Sequence, residues 1–89
     1  MNRDEIADAY GGELVFMDEH QYDDCIVGIA SGIGVEPRVV YDRDKVVQKL
    51  MGMGMSEIEA TEFHEYNQAG TYVGEHTPLF MDTLESRNN

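Results

Sequence analysis

GMSEIEATEFHEYNQAGTYVGEHTPLF, residues 54–80, is the stretch that decides the fold, because it contains a helix whose start, register and end follow from residue types. Ser56 and Glu59 have the spacing of a capping box, in which each side chain accepts a hydrogen bond from the other residue's backbone amide. Gly74 is a strong stop signal. The pattern therefore predicts a helix over 56–69 that ends at the latest just before Gly74.

At about 100° per residue, the apolar residues of this helix form one broad stripe, which we expect to face the core. The stripe comprises Met55, Ile58, Phe63, Tyr66, Ala69, Gly70 and Val73. The residues away from it or at its margin are Thr61, His64 and Glu65. Glu62 falls inside the stripe and has two interpretations. The commoner one is an edge position with the carboxylate in water, and the alternative is a buried carboxylate hydrogen-bonded to a tyrosine hydroxyl or a backbone amide.

Three other segments have helical patterns. Residues 4–10 form a short helix that Gly11-Gly12 ends. Residues 23–30 begin with two aspartates and continue apolar nearly all round, which indicates a helix buried on several sides. Residues 43–51 follow Asp42, a good N-cap, and carry a buried face of Val46, Val47, Leu50 and Met51.

Short apolar runs at 14–17, 38–41 and 78–81 are typical of strands, and the first and last resemble each other and could pair. The expected fold is therefore a helix-dominated α+β domain spanning 1–89, with about three main helices and a sheet of two or three short strands. Its ends, 1–3 and 85–89, are expected to fray. The expected core is Leu14, Phe16, Ile26, Ile29, Val40, Val47, Leu50, Ile58, Phe63, Tyr66, Val73, Leu79 and Phe80.

Charge is the strongest feature of the composition, with a formal net charge of −12 over 89 residues. Eight acids stand against one base in residues 1–24, and residues 55–85 carry seven acids and no Lys or Arg. Four of the six bases lie in the strip Arg38–Lys49. This balance disfavours nucleic acid and anionic membranes as ligands and favours a basic partner.

Chemical motifs are largely missing from the sequence. The lone Cys25 excludes an internal disulfide and a cysteine zinc cluster, and its expected burial would raise the pKa of the thiol. The chain has no HExxH motif, no histidine pair at i, i+4, no calcium loop and no GxSxG motif around Ser31. We therefore expect no metal, no cofactor and no catalytic residue. No apolar run has the length of a membrane span, and the N-terminus is too acidic for a secretion signal, so a cytosolic location is expected.

The candidate interaction residues are Glu57, Glu62, Glu65, Tyr72, Glu75 and His76. The dense patch 72–77 has two interpretations. It is a recognition surface at the helix end, or it is a structural exit in which Gly74 turns the backbone, Thr77-Pro78 stiffens it and the Tyr72 ring is partly buried. The structural interpretation is the simpler one, because each residue type then has a local role.

VVYDRDK at 39–45, GMSEIEATEFHEYNQAGTYVGEHTP at 54–78 and the Tyr22-Asp23-Asp24 triplet resemble a group of small acidic proteins encoded by bacteriophages and prophages. The resemblance covers roughly residues 13–81. It favours a protein that binds a host or viral macromolecule over one that catalyses a metabolic reaction. It implies no catalytic residue.

Together these features favour a non-enzymatic phage-type interaction protein in the host cytosol. The carboxylates of 4–24 and 57–65 would meet a basic surface of a host protein, such as a nucleic-acid-binding defence or transcription protein, in place of phosphates. Two alternatives stay open. One is a self-assembling structural protein whose Arg38–Lys49 strip meets an acidic face of another copy, and the other is a metal-dependent hydrolase.

Overall fold

The computed structural model describes residues 3–84, which form an α+β fold with helices packed against a three-stranded sheet. The expected fold class is confirmed. In chain order the elements are α1 (Arg3–Ala9), a 3-10 helix (His20–Cys25), β1 (Ile26–Gly32), β2 (Val35–Asp42), α2 (Arg43–Gly52), α3 (Glu57–His64), a π-helical turn (Glu65–Ala69) and β3 (Leu79–Met81). In the part of the chain that the structure describes, no helix has the length and apolar character needed to cross a membrane.

The sheet has the order β1-β2-β3, with β1 antiparallel and β3 parallel to the central strand β2. Gly34 lies in the turn between β1 and β2 with a φ of 75°, which glycine adopts easily because it lacks a Cβ. Ile29 pairs with Val39, and Tyr41 pairs with Phe80. Because alternate residues share a face of a strand, these four side chains lie on one face, the one that packs into the core.

The helix predicted over 23–30 is wrong. A short 3-10 helix ends at Cys25, and the next seven residues form the strand β1. Short apolar runs do not separate a buried helix from a buried strand by periodicity alone. The signals that favour the strand are the β-branched residues of IVGIAS and the glycine-rich turn that follows, which together form one arm of a hairpin.

The strand predicted over 14–17 is also wrong, as is its pairing with 78–81. Residues 13–17 have no regular secondary structure, although Leu14 and Phe16 pack against the core. The segment is held through the Met17 backbone amide, which donates a buried hydrogen bond of 2.9 Å to the Tyr41 hydroxyl. The strand expected at 78–81 exists as β3, but its partner is β2.

The predictions for α1, β2 and α2 are confirmed. The strand expected at 38–41 lies inside β2, and α2 begins after Asp42, whose Oδ1 accepts a hydrogen bond of 3.2 Å from the Lys45 amide. The apolar face of α2 is buried at Val46, Val47 and Leu50, but Met51 is exposed.

The capping box that starts α3 is confirmed. The Ser56 hydroxyl accepts from the Glu59 amide at 3.1 Å, and the Glu59 carboxylate accepts from the Ser56 amide at 3.0 Å. The helical path continues as the π-turn to Ala69 and does not reach residue 73. Gly70 follows the turn directly, and its position favours glycine, because a Cβ there would lie 2.9 Å from the Glu65 carbonyl oxygen.

The buried face of α3 differs from the predicted stripe. Ala60 and His64 are fully buried, whereas Ile58 and Tyr66 are 72% and 81% exposed. The small Ala60 side chain allows close helix packing and joins the core cluster with residues of α2. The His64 ring makes an edge contact with the Phe80 ring, their centroids 4.5 Å apart. Packing against these neighbours outweighs the hydrophobicity of the stripe.

The expected core is therefore correct in part. Val47 and Leu50 are buried, and a second group of expected residues is partly buried: Leu14, Phe16, Ile26, Ile29, Val40 and Phe80. The expectation is wrong for five exposed residues: Ile58, Phe63, Tyr66, Val73 and Leu79. The buried positions outside the expected set include Ile6, Met17, Tyr22, Val39, Tyr41, Ala60 and His64.

Arg3, the last residue of the segment 1–3 that is expected to fray, makes several contacts in the structure. This residue begins α1, its guanidinium bonds the Asp23 carboxylate at 2.6 Å, and it also donates to the Met17 carbonyl oxygen at 2.8 Å. These contacts fasten the start of the chain to the core. Residues 1–2 and 85–89, where fraying is also expected, lie outside the described residues.

Candidate functional site

Most of the bases are engaged by the chain's own oxygen atoms. Among residues 3–84, four of the five Lys and Arg side chains have such partners, and Lys45 is exposed on α2. The contacts are Arg3–Asp23 at 2.6 Å, Lys49–Asp24 at 2.8 Å, Arg43–Asp82 at 3.5 Å and Arg38 to the Glu75 carbonyl oxygen at 3.0 Å. Three carboxylates are thereby paired, and the remaining acids far outnumber the bases that are left.

This pairing also bears on the basic strip Arg38–Lys49. Arg38, Arg43 and Lys49 bind groups of their own chain, so the strip does not present four open cations to a neighbouring copy. These three bases instead connect β2 and α2 to other segments of the same chain, which contain Glu75, Asp82 and Asp24. The self-assembly alternative thus gains no support from the arrangement of the bases.

Glu62 lies on a solvent-facing side of α3 and of the π-helical turn that continues it, which we call the α3 outer face and define by Ile58, Glu62, Glu65 and Tyr66. All four side chains are exposed. The interpretation of Glu62 as a buried carboxylate is wrong, and the water-exposed one is confirmed. Because Ile58 and Glu62 are one helical turn apart and Tyr66 follows, two carboxylates lie among two large apolar side chains. Such a mixed surface suits a partner that offers both positive charge and apolar contact.

Glu57 is exposed but lies on another side of the helix. It is five residues before Glu62, which corresponds to roughly 140° of rotation around the axis. It lines a cavity of about 440 Å³ between α2 and α3, together with Arg43 and Asp82. The structure therefore brings Glu62 and Glu65 together on one face but does not place Glu57 with them.

The segment 72–77 is a structured exit from the helix. Gly74 has a φ of 104°, and the Thr77 hydroxyl accepts from the Val73 amide at 2.9 Å and donates to the Gly74 carbonyl at 2.6 Å. These contacts support the structural interpretation of the turn. The burial expected for Tyr72 is wrong, because its ring is 74% exposed.

Glu75 and His76 have unequal roles. His76 Nδ1 is 2.7 Å from the Pro37 carbonyl oxygen and its Nε2 is 3.9 Å from the Glu13 carboxylate, so the ring ties this segment to β2 and to the stretch after α1. The Glu75 backbone holds Arg38, while its side chain is exposed. Glu75 and Tyr72 are thus available for contact, and His76 is chiefly a structural residue.

His64 is the one charged or polar residue in the described chain that is fully buried. Its Nδ1 lies 2.8 Å from Gln68 Oε1, and since an amide oxygen only accepts, Nδ1 carries the proton. Nε2 then offers a lone pair, for which no partner exists within residues 3–84. The expectation that His64 leans toward solvent is wrong.

Burial lowers the pKa of His64 below its ordinary value, although the Gln68 hydrogen bond acts in the opposite direction. The unfolded histidine ionises near pH 6.5, so below that pH the unfolded state binds more protons than the folded state. The stability that depends on neutral His64 is complete above about pH 6.5 and is lost as the pH falls toward the lower folded pKa.

We predict that replacing His64 with phenylalanine removes part of the loss of stability between pH 7.5 and pH 5.5. Urea unfolding of both forms at the two pH values measures the effect. The control is Thr61→Ala, because this exposed side chain on the same helix carries no titratable group and its loss should leave the pH dependence unchanged. Equal pH dependence in the wild type and His64→Phe would contradict the burial of a neutral imidazole.

Cys25 is buried at the end of the 3-10 helix, and its environment raises the pKa of the thiol to about 11, chiefly through desolvation and then through a hydrogen bond to Asp24. The thiol is therefore protonated near neutral pH and is a weak nucleophile. The rise expected from the sequence is confirmed, although the element that carries Cys25 is not the predicted one.

A metal centre has no evident place in the described structure. Between residues 3 and 84, no three His, Cys, Asp or Glu side chains gather in an arrangement that would hold an ion. Glu13 and His76 approach each other, and His20 lies 3.7 Å from Asp23, but each is an isolated pair.

Comparisons with known proteins leave the site to be interpreted from its own geometry. Neither the protein-family models, nor the curated proteins, nor the solved structures include a match to this chain.

Proposed function

We propose that this chain is a non-enzymatic, phage-type interaction protein that binds a basic surface of a host macromolecule. A host defence or transcription protein that normally binds nucleic acid has the required surface, because its phosphate-binding site is a patch of lysines and arginines. The acidic side chains would occupy that patch in place of phosphates, in the host cytosol. The resemblance to phage-encoded acidic proteins is consistent with such a partner.

The observation that carries the proposal is a difference in the contacts that basic and acidic side chains make. The bases of residues 3–84 are largely engaged internally, while Glu62, Glu65 and Glu75 are exposed. A surface with this excess of negative charge attracts a positive surface over several ångströms and speeds encounter. The same charge repels nucleic acid itself. The proposed partner is therefore a protein whose basic surface normally binds phosphates, and not the nucleic acid.

The α3 outer face is the proposed centre of the contact. Ile58 and Tyr66 supply apolar area that the fold leaves uncovered, and Glu62 and Glu65 supply charge beside it. Tyrosine is among the residues that contribute most at protein interfaces. The carboxylates of 4–24 and Glu57 would then extend the contact electrostatically around this centre.

The test is affinity capture from a bacterial lysate, followed by binding measurements on the captured protein. Glu62→Lys/Glu65→Lys should weaken binding by roughly tenfold or more, since each reversal replaces an attraction with a repulsion. The matched control, Glu36→Lys/Asp44→Lys, changes the net charge equally at two exposed sites outside the α3 outer face and should cost less than about threefold.

Salt provides the second readout. Binding should weaken strongly between about 0.05 and 0.5 M NaCl, because the Debye length shortens from more than 10 Å to a few ångströms. Binding that is insensitive to salt would contradict the proposal. So would equal losses in the two charge-reversal variants, because the contact would then not be centred on the α3 outer face.

A further inference from the structure

A second surface feature lies beside α3, between the loop that follows residue 14 and the stretch that leads into β3. It is a cleft of about 300 Å³, which we call the apolar cleft. Its lining residues lie in the ranges 15–19, 63–73 and 78–80. Three segments that are distant in sequence build it together.

The walls of the apolar cleft are mostly hydrocarbon. Phe16, Phe63 and Phe80 contribute aromatic rings, and Phe63 and Val73 remain 38% and 51% exposed. Covering such apolar surface lowers the free energy of the protein by roughly 25 cal/mol for each Å² removed from water. The chain leaves these side chains open to an incoming group.

The polar side chains in the wall are partly engaged within the chain. Gln68 Oε1 accepts from His64, the Asn67 amide donates to the Phe63 carbonyl at 3.2 Å, and the Thr71 hydroxyl donates to the Asn67 carbonyl at 3.3 Å. These bonds reduce the hydrogen-bonding capacity that the wall offers to a polar ligand. The interior of the cleft therefore favours an apolar group.

The rim differs from the interior, because it carries the adjacent carboxylates Asp18 and Glu19. Both are exposed, and neither forms an ion pair with a base of residues 3–84. Glu19 precedes the 3-10 helix but makes no side-chain capping bond. Two exposed carboxylates thus line the cleft without a base of residues 3–84 to pair with.

We propose that the apolar cleft receives a single large apolar side chain of the basic partner, flanked by lysine or arginine residues that meet Asp18 and Glu19. This inference rests on the proposed function and specifies the motif that the partner presents. The volume, about 300 Å³, is at the lower limit of small-molecule sites, which supports a side chain over a metabolite. The negative charges of Asp18 and Glu19 favour a partner motif with lysine or arginine on each side of the apolar residue.

The experiment uses three acetylated, amidated peptides: Lys-Lys-Phe-Lys-Lys, Lys-Lys-Ser-Lys-Lys and Glu-Glu-Phe-Glu-Glu. Each is titrated into the isotope-labelled protein at low salt while backbone amide signals are followed by NMR. The phenylalanine peptide with lysines should bind about tenfold more tightly than the serine peptide, as expected for burial of most of one aromatic side chain. Its largest shifts should fall on Asn67, Thr71 and Val73.

Variants separate the rim from the rest of the acidic surface. Asp18→Asn/Glu19→Gln should weaken the lysine-phenylalanine peptide roughly fivefold, whereas the matched Glu62→Gln/Glu65→Gln should change its affinity less than about twofold. Both variants alter exposed side chains, and the dispersion of the amide signals verifies their folding.

The remaining outcomes distinguish this inference from the proposed function. Equal binding of the two lysine peptides, with shifts on the α3 outer face, would overturn the cleft as a binding site and leave the proposed function standing. Binding of the glutamate peptide as tight as that of its lysine counterpart would overturn the basic motif. Absence of binding by all three peptides would overturn the cleft as a binding site, and the charge-reversal variants of the α3 outer face would still decide the proposed function.

Discussion

Truncating His64 to alanine is expected to lower the free energy of unfolding by about 3 kcal/mol, because it empties the site of a fully buried ring. The variant loses the edge contact with Phe80 and leaves Gln68 without its internal partner. Urea unfolding at pH 7.5, where His64 is neutral in both states, measures the loss without a contribution from protonation.

The matched comparison is Ile58→Ala on the same helix. Ile58 belongs to the apolar stripe predicted from the sequence but is 72% exposed, so its truncation should cost less than about 0.5 kcal/mol. If Ile58→Ala proves more damaging than His64→Ala, then α3 buries the predicted stripe and the orientation described for this helix is wrong.

Replacing Tyr41 with phenylalanine is expected to cost about 2 kcal/mol, although the change removes one oxygen atom. The Tyr41 hydroxyl accepts from the buried Met17 amide at 2.9 Å, and among residues 3–84 it is the acceptor that holds this amide. Without it, a buried donor is left unsatisfied, and the segment 13–17 loses a tie to the sheet. The control is Tyr72→Phe, whose hydroxyl belongs to a ring that is 74% exposed and should be nearly neutral in its effect.

Amide hydrogen exchange provides the specific readout for Tyr41. In Tyr41→Phe the Met17 amide should exchange much faster than in the wild type, while the amides of α2 change only with global stability. Unchanged protection at Met17 would show that its amide is held by another group.

Local residue chemistry predicted the ends of the elements well. The capping box of Ser56 and Glu59, the Asp42 cap and the glycine stop after α1 each follow from a few adjacent residues, and each is present. The amphipathic pattern of α2 also held at Val46, Val47 and Leu50, because one helix face is buried in the core formed with α3, the 3-10 helix and β2. These features depend little on the rest of the fold.

Tertiary context explains the errors. The run IVGIAS is apolar enough for either a helix or a strand, and the hairpin with β2 decides between them. In α3, the smaller Ala60 and the polar His64 are buried because α2 and Phe80 lie on that side. Side-chain hydrophobicity summed around one helix contains no information about where its neighbours lie.

The candidate site was also predictable from the sequence only in part. Acidic composition predicted an anionic surface, and the exposure of Glu57, Glu62, Glu65 and Glu75 follows from the cost of burying charge. The apolar cleft had no signal in the sequence, since its walls come from three distant segments. The internal pairing of the basic strip could not be predicted either, because folding is what brings Asp24, Glu75 and Asp82 close to it.

The anionic docking surface is tested most directly by competition with DNA for the captured nucleic-acid-binding partner. Fluorescence anisotropy of labelled DNA bound to that partner should fall as the wild-type chain is added, and addition of NaCl should weaken the competition. The Glu62→Lys/Glu65→Lys variant should displace little DNA over the same concentration range. A partner that holds the DNA and the wild-type chain together, with neither weakening the other, would contradict the claim that carboxylates take the place of phosphates.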